Sequence, residues 1–244
     1  PASVADSLQD VLLIGHAGKE TGLGRNYGML KAGLETAGMV VTGLDFDTHA
    51  NTVSDQIVRW REGCRSKPVV VLAVNANDAP DFFLKDRRGI LLDCYGCGFF
   101  LWEVSTPPTV QQLGMALVDE IWAPTKYVAD IYAPFKPTHV VGKGLFRGDE
   151  DFLRRERPGK AHSPFTFVTT FDFDSSIERK NPLAVVLAFQ DAFRVDENVE
   201  LVVKTSNVSP QHWSNAWKQW EHMLGASAGD KRIRIVNQRY SNED

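Results

Sequence analysis

Short apolar runs alternate with segments of helical period along most of this chain. That alternation constrains the fold more than any other feature. Residues 11–15 form an apolar run after a polar start and read as a buried parallel strand. Residues 26–37 have helical spacing, with Tyr27, Leu30, Leu34 and Ala37 on one face and Gly38 as the stop. The reading continues with a strand at 39–46, a helix at 53–61 carrying Ile57, Val58 and Trp60, and an unbroken apolar strand at 68–74. Residues 90–92 and 99–102 are further strand candidates, the second ended by Pro107 and Pro108, and a short helix follows. A strand at 120–123, a helix at 125–132 and a strand at 139–141 complete the series. Strand and helix in such turn specify an open, mostly parallel sheet with helices on both faces.

The pattern breaks over 143–163, which is rich in glycine and charge and has no sustained period. It then restarts: strand 165–170, helix 182–193, strand 199–204, helix 210–224 and strand 233–236. The expected organisation is a tail at 1–10, a first α/β domain at 11–145, a linker at 146–163 and a second α/β domain beginning at 164. About three strands precede Asp244, so the second sheet is expected to be incomplete as given. The chain opens on Pro1 and not Met, so residues can be missing upstream.

With 244 residues there is room for one large domain or two smaller ones. A formal net charge of −4 argues against bulk electrostatic binding of nucleic acid. No apolar run reaches the roughly 20 residues a transmembrane segment needs. Cys64, Cys94 and Cys97 are too few for a disulfide framework. Cys94 and Cys97 form a CxxC, but a zinc site needs a second pair of ligands, and none has suitable spacing. They are expected to be reduced and packed near a strand, with no metal bound.

The loop after the first strand holds two near-misses. Gly18-Lys19 sits where a phosphate-binding P-loop has its Gly-Lys, but Glu20 follows where Ser or Thr is needed. Gly22, Gly24 and Gly28 approach a dinucleotide fingerprint, with the last gap one residue too long. Such a loop, at the carboxyl end of a parallel sheet, lets backbone approach a ligand and offers helix N–H groups to an anion. It also serves as a tight strand-to-helix turn with no ligand.

Three segments carry a resemblance. They are the glycine loop; GFFLWEVSTPP at 98–108 with VDEIWAPTKYVADIY at 118–132; and FVTTFDFDSSIERKNPLAVVLAF at 167–189 leading to ELVVKTSN at 200–207. Together they resemble the retaining, nucleotide-sugar-dependent glycosyltransferases of the GT-B fold, in the group-one (family four) lineage. The resemblance runs along nearly all of 11–244. It implies two Rossmann-like, doubly wound parallel sheets facing a cleft, with the glycine loop on the cleft floor. It also implies transfer of a sugar from a nucleoside-diphosphate-sugar donor to an acceptor hydroxyl, with no metal or other cofactor. The acceptor is a glycan, a lipid-linked group or a protein. The resemblance further implies a Glu-x7-Glu pair late in the second domain, which the 244 residues do not reach. These residues alone are therefore expected to be weakly active or inactive. The expected location is the cytoplasm, at or away from a membrane surface.

On this reading Gly22 and Gly24 line the donor site, and Lys180 matches the phosphate-binding lysine of the family. Arg179 beside it precedes a helix start, where a basic pair can clamp a diphosphate or can simply be solvated. The arginine that often lies upstream in the superfamily is replaced here by Phe171-Asp172. Lys204, at the end of a strand, is a second phosphate or ribose candidate or an ordinary lysine. Glu103, after an apolar run, can orient an acceptor hydroxyl or take its proton, or can brace its loop. His16 can hydrogen-bond a sugar hydroxyl or be solvated, and His139 reads as structural. Trp213, Trp217 and Trp220 recur at helical spacing, as a packed helix face does.

Two other classes remain at this stage. A nicotinamide dehydrogenase would use Asp45 or Asp47 about 20 positions beyond the glycines, but it gives ERKNP and VVKTSN no role. A non-catalytic sugar- or partner-binding fragment is the alternative.

Overall fold

The computed structural model describes residues 10–19, 21–65, 67–144, 164–173, 175, 177–206 and 215–238. The expected tail, apart from Asp10, and the expected linker at 146–163 lie outside the described residues. The chain divides into two compact units, Pro1–Arg155 and Glu156–Asp244.

The first unit is built on six parallel strands in the order β2-β1-β3-β4-β5-β6. They are β1 (Asp10–Gly15), β2 (Val40–Asp45), β3 (Val69–Ala73), β4 (Tyr95–Phe99), β5 (Glu120–Ala123) and β6 (Thr138–Val140). Between them lie α1 (Gly22–Thr36), α2 (Ala50–Gly63), α3 (Ala79–Lys85), α4 (Gln112–Ala116) and α5 (Lys126–Tyr132). Strand alternation sorts the apolar side chains into two layers. Leu12, Ile14, Val70 and Leu72 pack with Ile57 of α2, Phe82 of α3, Met115 of α4 and Val128 of α5. Val11, Leu13, Val71 and Ala73 point the other way and meet Tyr27 and Leu34 of α1. That two-sided burial is why β1 and β3 read as unbroken apolar runs. Each fully buried Leu or Ile contributes on the order of 1.5–3 kcal/mol.

The second unit has three parallel strands in the order β7-β8-β9, namely β7 (Phe165–Asp172), β8 (Val199–Ser206) and β9 (Ile233–Asn237). The helical segments α6 (Ile177–Lys180), α7 (Pro182–Ala192) and α8 (Asn215–Ser227) accompany them. Phe171, Leu201 and Val203 pack with Val186 and Phe189 of α7 and with Trp220 and Met223 of α8. Trp217 lies at the border of this core, so these two tryptophans form a packed face as their spacing implies. Trp213 and the start expected for that helix lie outside the described residues.

Several expectations are corrected. Residues 90–92 are not a strand but part of a 3-10 turn, Ile90–Asp93, held by a bond from the Leu91 N–H to the Asp86 carboxylate at 2.7 Å. The strand expected at 99–102 is β4, which starts at Tyr95 and ends at Phe99. Gly96 and Gly98 lower its apparent strand propensity, yet each is there for close packing. A Cβ on Gly96 would lie 3.3 Å from the Val118 Cα, and one on Gly98 would strike the Phe100 ring at 2.5 Å. The first helix starts at Gly22 and not at residue 26, so Gly22 and Gly24 belong to its first turn. α3 and α6 had no counterpart in the sequence reading. Lys204 does not end its strand, because β8 continues to Ser206.

The CxxC straddles the start of β4. Cys94 and Cys97 are free thiols in cores on opposite faces of the sheet. Burial pushes the Cys94 thiol up to about 11 and the Cys97 thiol higher still.

Candidate functional site

The strand order turns about β1. The chain passes from β1 outward to β2, then returns to lay β3 on the other side of β1. In open parallel sheets a crevice opens outside the carboxyl ends of the strands at such a switch point. Gly15 and Ala73 are register partners there. The loops that follow them carry His16 to Lys19 on one side and Asn75 to Asp78 on the other.

His16 is not solvated. Its side chain is 12% exposed, its ring lies 5.0 Å from that of Phe46, and Nδ1 is 3.4 Å from the Asp47 carboxylate. Lys19 Nζ meets the same carboxylate oxygen at 2.6 Å. The Lys19 hydrogen bond holds the Asp47 carboxyl below its usual range, with His16 a smaller influence. On the β3 side, Asp78 precedes α3 and receives a 2.7 Å bond from Asn77 Nδ2. Desolvation raises its carboxyl, against an opposing pull from His16. His16 therefore stands in the field of two carboxylates of unlike character.

The glycines shape this loop in different ways. A Cβ on Gly15 would meet the Tyr27 ring at 2.7 Å and the Ala73 carbonyl oxygen at 2.9 Å. A Cβ on Gly24 would collide with the Lys19 carbonyl, whereas one on Gly22 would meet nothing. Gly24 thus lets the loop's own backbone cross the helix. Thr21 caps α1, accepting a hydrogen bond from the Gly24 N–H at 3.2 Å. Nearby, a Cβ on Gly114 of α4 would collide with the Ala76 carbonyl, so the β3–α3 loop is pressed from behind by a helix.

Glu103 follows β4 in an exposed loop. Its backbone carbonyl accepts a 3.3 Å bond from Tyr127 of α5, and Trp102 Nε1 donates to the Thr106 carbonyl at 3.0 Å. Burial pushes the Tyr132 phenol up and the Glu103 carboxylate adds to the shift.

In the second unit, Arg179 and Lys180 are the last residues of α6, and both are exposed. Arg179 Nη2 donates to Ser175 Oγ at 3.0 Å. Asn181 then takes a left-handed conformation, φ 44°, and caps α7 by accepting from the Ala184 N–H at 3.3 Å. The Asn-Pro of ERKNP is therefore a sharp corner that sets the basic pair just ahead of an 11-residue helix. Lys204 pairs in register with Thr170 and Val236 and alternates with the core residues Leu201 and Val203. It lies on the sheet face opposite α7 and α8.

The sequence reading missed Phe46 and Asp78, and weighed Lys19 only as a P-loop lysine and Asp47 only for a nicotinamide cofactor. The signal for Asp78 was present: a polar cluster after an apolar strand, then Ala-Pro, marks a helix start at the carboxyl edge. Among the described residues no three His, Cys, Asp or Glu side chains converge as a metal site requires. Among them, too, no helix is long and apolar enough to cross a membrane.

No family model matches the chain, and no curated protein matches it in sequence. Its backbone does match solved structures. The apo structure of OtsA matches with a TM-score of 0.58 at 10% identity, over 96% of this chain and 74% of that one. The fold is GT-B. The crystal structure of Anabaena HepE in complex with UDP-glucose matches with a TM-score of 0.50 at 13% identity, over 95% of this chain and 70% of that one. At these identities the likeness speaks to the GT-B fold alone.

Proposed function

We propose that this chain belongs to a glycosyltransferase that moves a sugar from a nucleoside-diphosphate-sugar donor to an acceptor hydroxyl. The observation that carries the reading is a GT-B fold whose β1–β3 switch point is furnished for polar ligands by His16, Asp47 and Asp78. Transfer breaks the bond between the anomeric carbon and the diphosphate oxygen, and the diphosphate leaves with the electron pair. A bond forms from that carbon to the acceptor oxygen, whose proton passes to a base. His16 suits that exchange: with Nδ1 turned to Asp47, Nε2 is left to face a sugar hydroxyl. Glu103 is the second candidate for acceptor contact.

In the second unit, Lys180 and Arg179 at the α7 corner are suited to holding the diphosphate as its charge grows. Lys204 and the Gly22–Gly24 turn are lesser donor candidates. The reading extends to a retaining outcome, a reaction that needs no metal, and a cytoplasmic location; these rest on the motif resemblance. The UDP-glucose complex of HepE makes UDP-sugars the first donors to test.

The experiment is a panel of UDP-, GDP-, ADP- and dTDP-sugars against the whole natural protein, read by thermal shift. A bound donor raises the melting temperature by mass action. Stabilisation by one nucleoside series supports the reading, and no response to any donor at millimolar concentration refutes it. A binding fragment without transfer would show the same shift and no released diphosphate.

A further inference from the structure

Phe46 follows β2, and both of its backbone groups are tied. Its N–H donates to the carbonyl of Gly15, the last residue of β1, at 2.8 Å, and its own carbonyl accepts from Lys85 Nζ at 2.6 Å. Lys85 is the last residue of α3 and is half-buried. Its ammonium also lies 5.1 Å from the centre of the Phe46 ring and 5.8 Å from that of Phe82. Those two rings stack at 6.1 Å, and Phe82 is fully buried. Phe46 thus has a fixed backbone, a cation on its ring and a core ring behind it.

Phe46 in turn forms the setting of His16. Its ring lies 5.0 Å from the imidazole, and the next residue, Asp47, brings its carboxylate to Nδ1 at 3.4 Å. The Asp47 N–H is itself held by Asp45 Oδ1 at 2.9 Å, which leaves the turn little freedom to shift. α3 therefore serves His16 from both ends. Asp78, ahead of its first turn, acts through charge, and Lys85, in its last turn, acts through Phe46.

The partners of Lys85 here are a neutral carbonyl and two aromatic rings, none of them a carboxylate. A half-buried ammonium gives up hydration for such contacts, and a methionine of similar reach would pack on the rings without that loss. What methionine cannot do is hold the Phe46 carbonyl. We propose that Lys85 is a positioning residue for His16: by pinning Phe46 it fixes the imidazole against Asp47, with Nε2 turned to the substrate. A hydrogen bond at one ring nitrogen decides which tautomer a histidine holds. With Nδ1–H donating to Asp47, Nε2 keeps the lone pair that takes the proton of an acceptor hydroxyl. The placement of the ring stands on geometry alone; its use in transfer rests on His16 being the group that meets a sugar hydroxyl.

The test follows the His16 ring by NMR in the whole natural protein carrying isotope-labelled histidine, without substrate, at about pH 8.5, where an ordinary imidazole is neutral. The expected result is a ring-to-ring NOE between His16 and Phe46 and ring-nitrogen shifts of a single Nδ1–H tautomer. In Lys85→Met the NOE should be lost and the nitrogen shifts should move to those of mixed tautomers. Lys85→Arg keeps a cation over the rings and a donor for the carbonyl, and should restore both signals. Lys85→Gln takes the place of Lys85→Met if the latter does not fold. Unchanged His16 signals in a folded variant lacking the cation overturn the proposal, and so does an arginine variant no better than the methionine one. Kinetics with the donor found by the nucleotide-sugar panel then separate positioning from general support of the fold. In Lys85→Met, kcat should fall about tenfold, with the donor KM within about twofold of the natural value. A raised KM at unchanged kcat overturns the positioning role. If the panel yields no donor, the glycosyltransferase reading fails on its own, and the NMR result still decides what Lys85 does to His16.

Discussion

Two glycines in one turn of α1 should respond to alanine with opposite signs. At Gly22 a new Cβ meets nothing within 4 Å, and the helix gains a better former. That gain is worth up to about 1 kcal/mol in a helix interior and less in a first turn, so roughly 0.5 kcal/mol is expected. At Gly24 the same methyl collides with the Lys19 carbonyl and lies 3.0 Å from the His16 carbonyl oxygen. Both are backbone atoms, which cannot swing away as a side-chain tip can. Overpacking of this kind costs about 1–3 kcal/mol, which outweighs the helix gain and leaves a net loss of about 1–2 kcal/mol. At roughly 2–4 °C per kcal/mol for units of this size, Gly24→Ala should lower the melting temperature by about 2–8 °C, and Gly22→Ala should raise it by about 1–2 °C. Calorimetry reads the transition, and hydrogen exchange of the peptide spanning 16–28 localises it. Because the colliding carbonyls belong to His16 and Lys19, Gly24→Ala should also disturb the contact of His16 with Asp47. Equal shifts of the same sign in the two variants would refute the reasoning.

Lys19→Met should let the Asp47 carboxyl rise toward its usual value, as followed by NMR titration. Because the folded-state value is depressed, the pair stabilises above about pH 4 and is lost as pH falls further, and with both side chains about half exposed its worth is below roughly 1 kcal/mol. Cys97 should resist iodoacetamide until the protein unfolds, while partly exposed Cys64 reacts first, as peptide mass mapping would show. Glu120 accepts from Trp122 Nε1 at 2.6 Å and Tyr95 OH at 2.8 Å. Its hydrogen bond pushes the Tyr95 phenol up to about 12, so in Glu120→Gln that phenol should titrate nearer 10 by ultraviolet absorbance.

The parallel architecture was legible because buried strands leave unbroken apolar runs, as in β1 and β3. The β5 bounds match the sequence reading to the residue. Legibility failed where packing overrode local preference. β4 hides behind Gly96 and Gly98, which have no side chain to signal a strand but are demanded by Val118 and Phe100. α3 has only seven residues, too few to show a period. His16 in the first unit, and the ERKNP corner in the second, were each visible as residue types in a telling place. The role of Asp47 was not, because it reaches His16 and Lys19 from the loop after β2, about 30 residues further along the chain, and Asp78 carries the mark of a helix start but not that of a neighbour in the field of His16. Gly24 was legible as necessary but for another reason: the backbone it admits is the chain's own.

The central claim is that the second unit holds a nucleoside diphosphate at the α7 corner. Calorimetric titration of UDP, GDP, ADP and dTDP into the whole natural protein and its Lys180→Ala variant tests it most directly. A charge-assisted phosphate contact is worth about 1.5–3 kcal/mol, so the diphosphate that binds should lose about tenfold to a hundredfold in affinity, with Arg179→Ala losing less. Binding by none of the four, or the same affinity in a folded Lys180→Ala protein, would contradict the account.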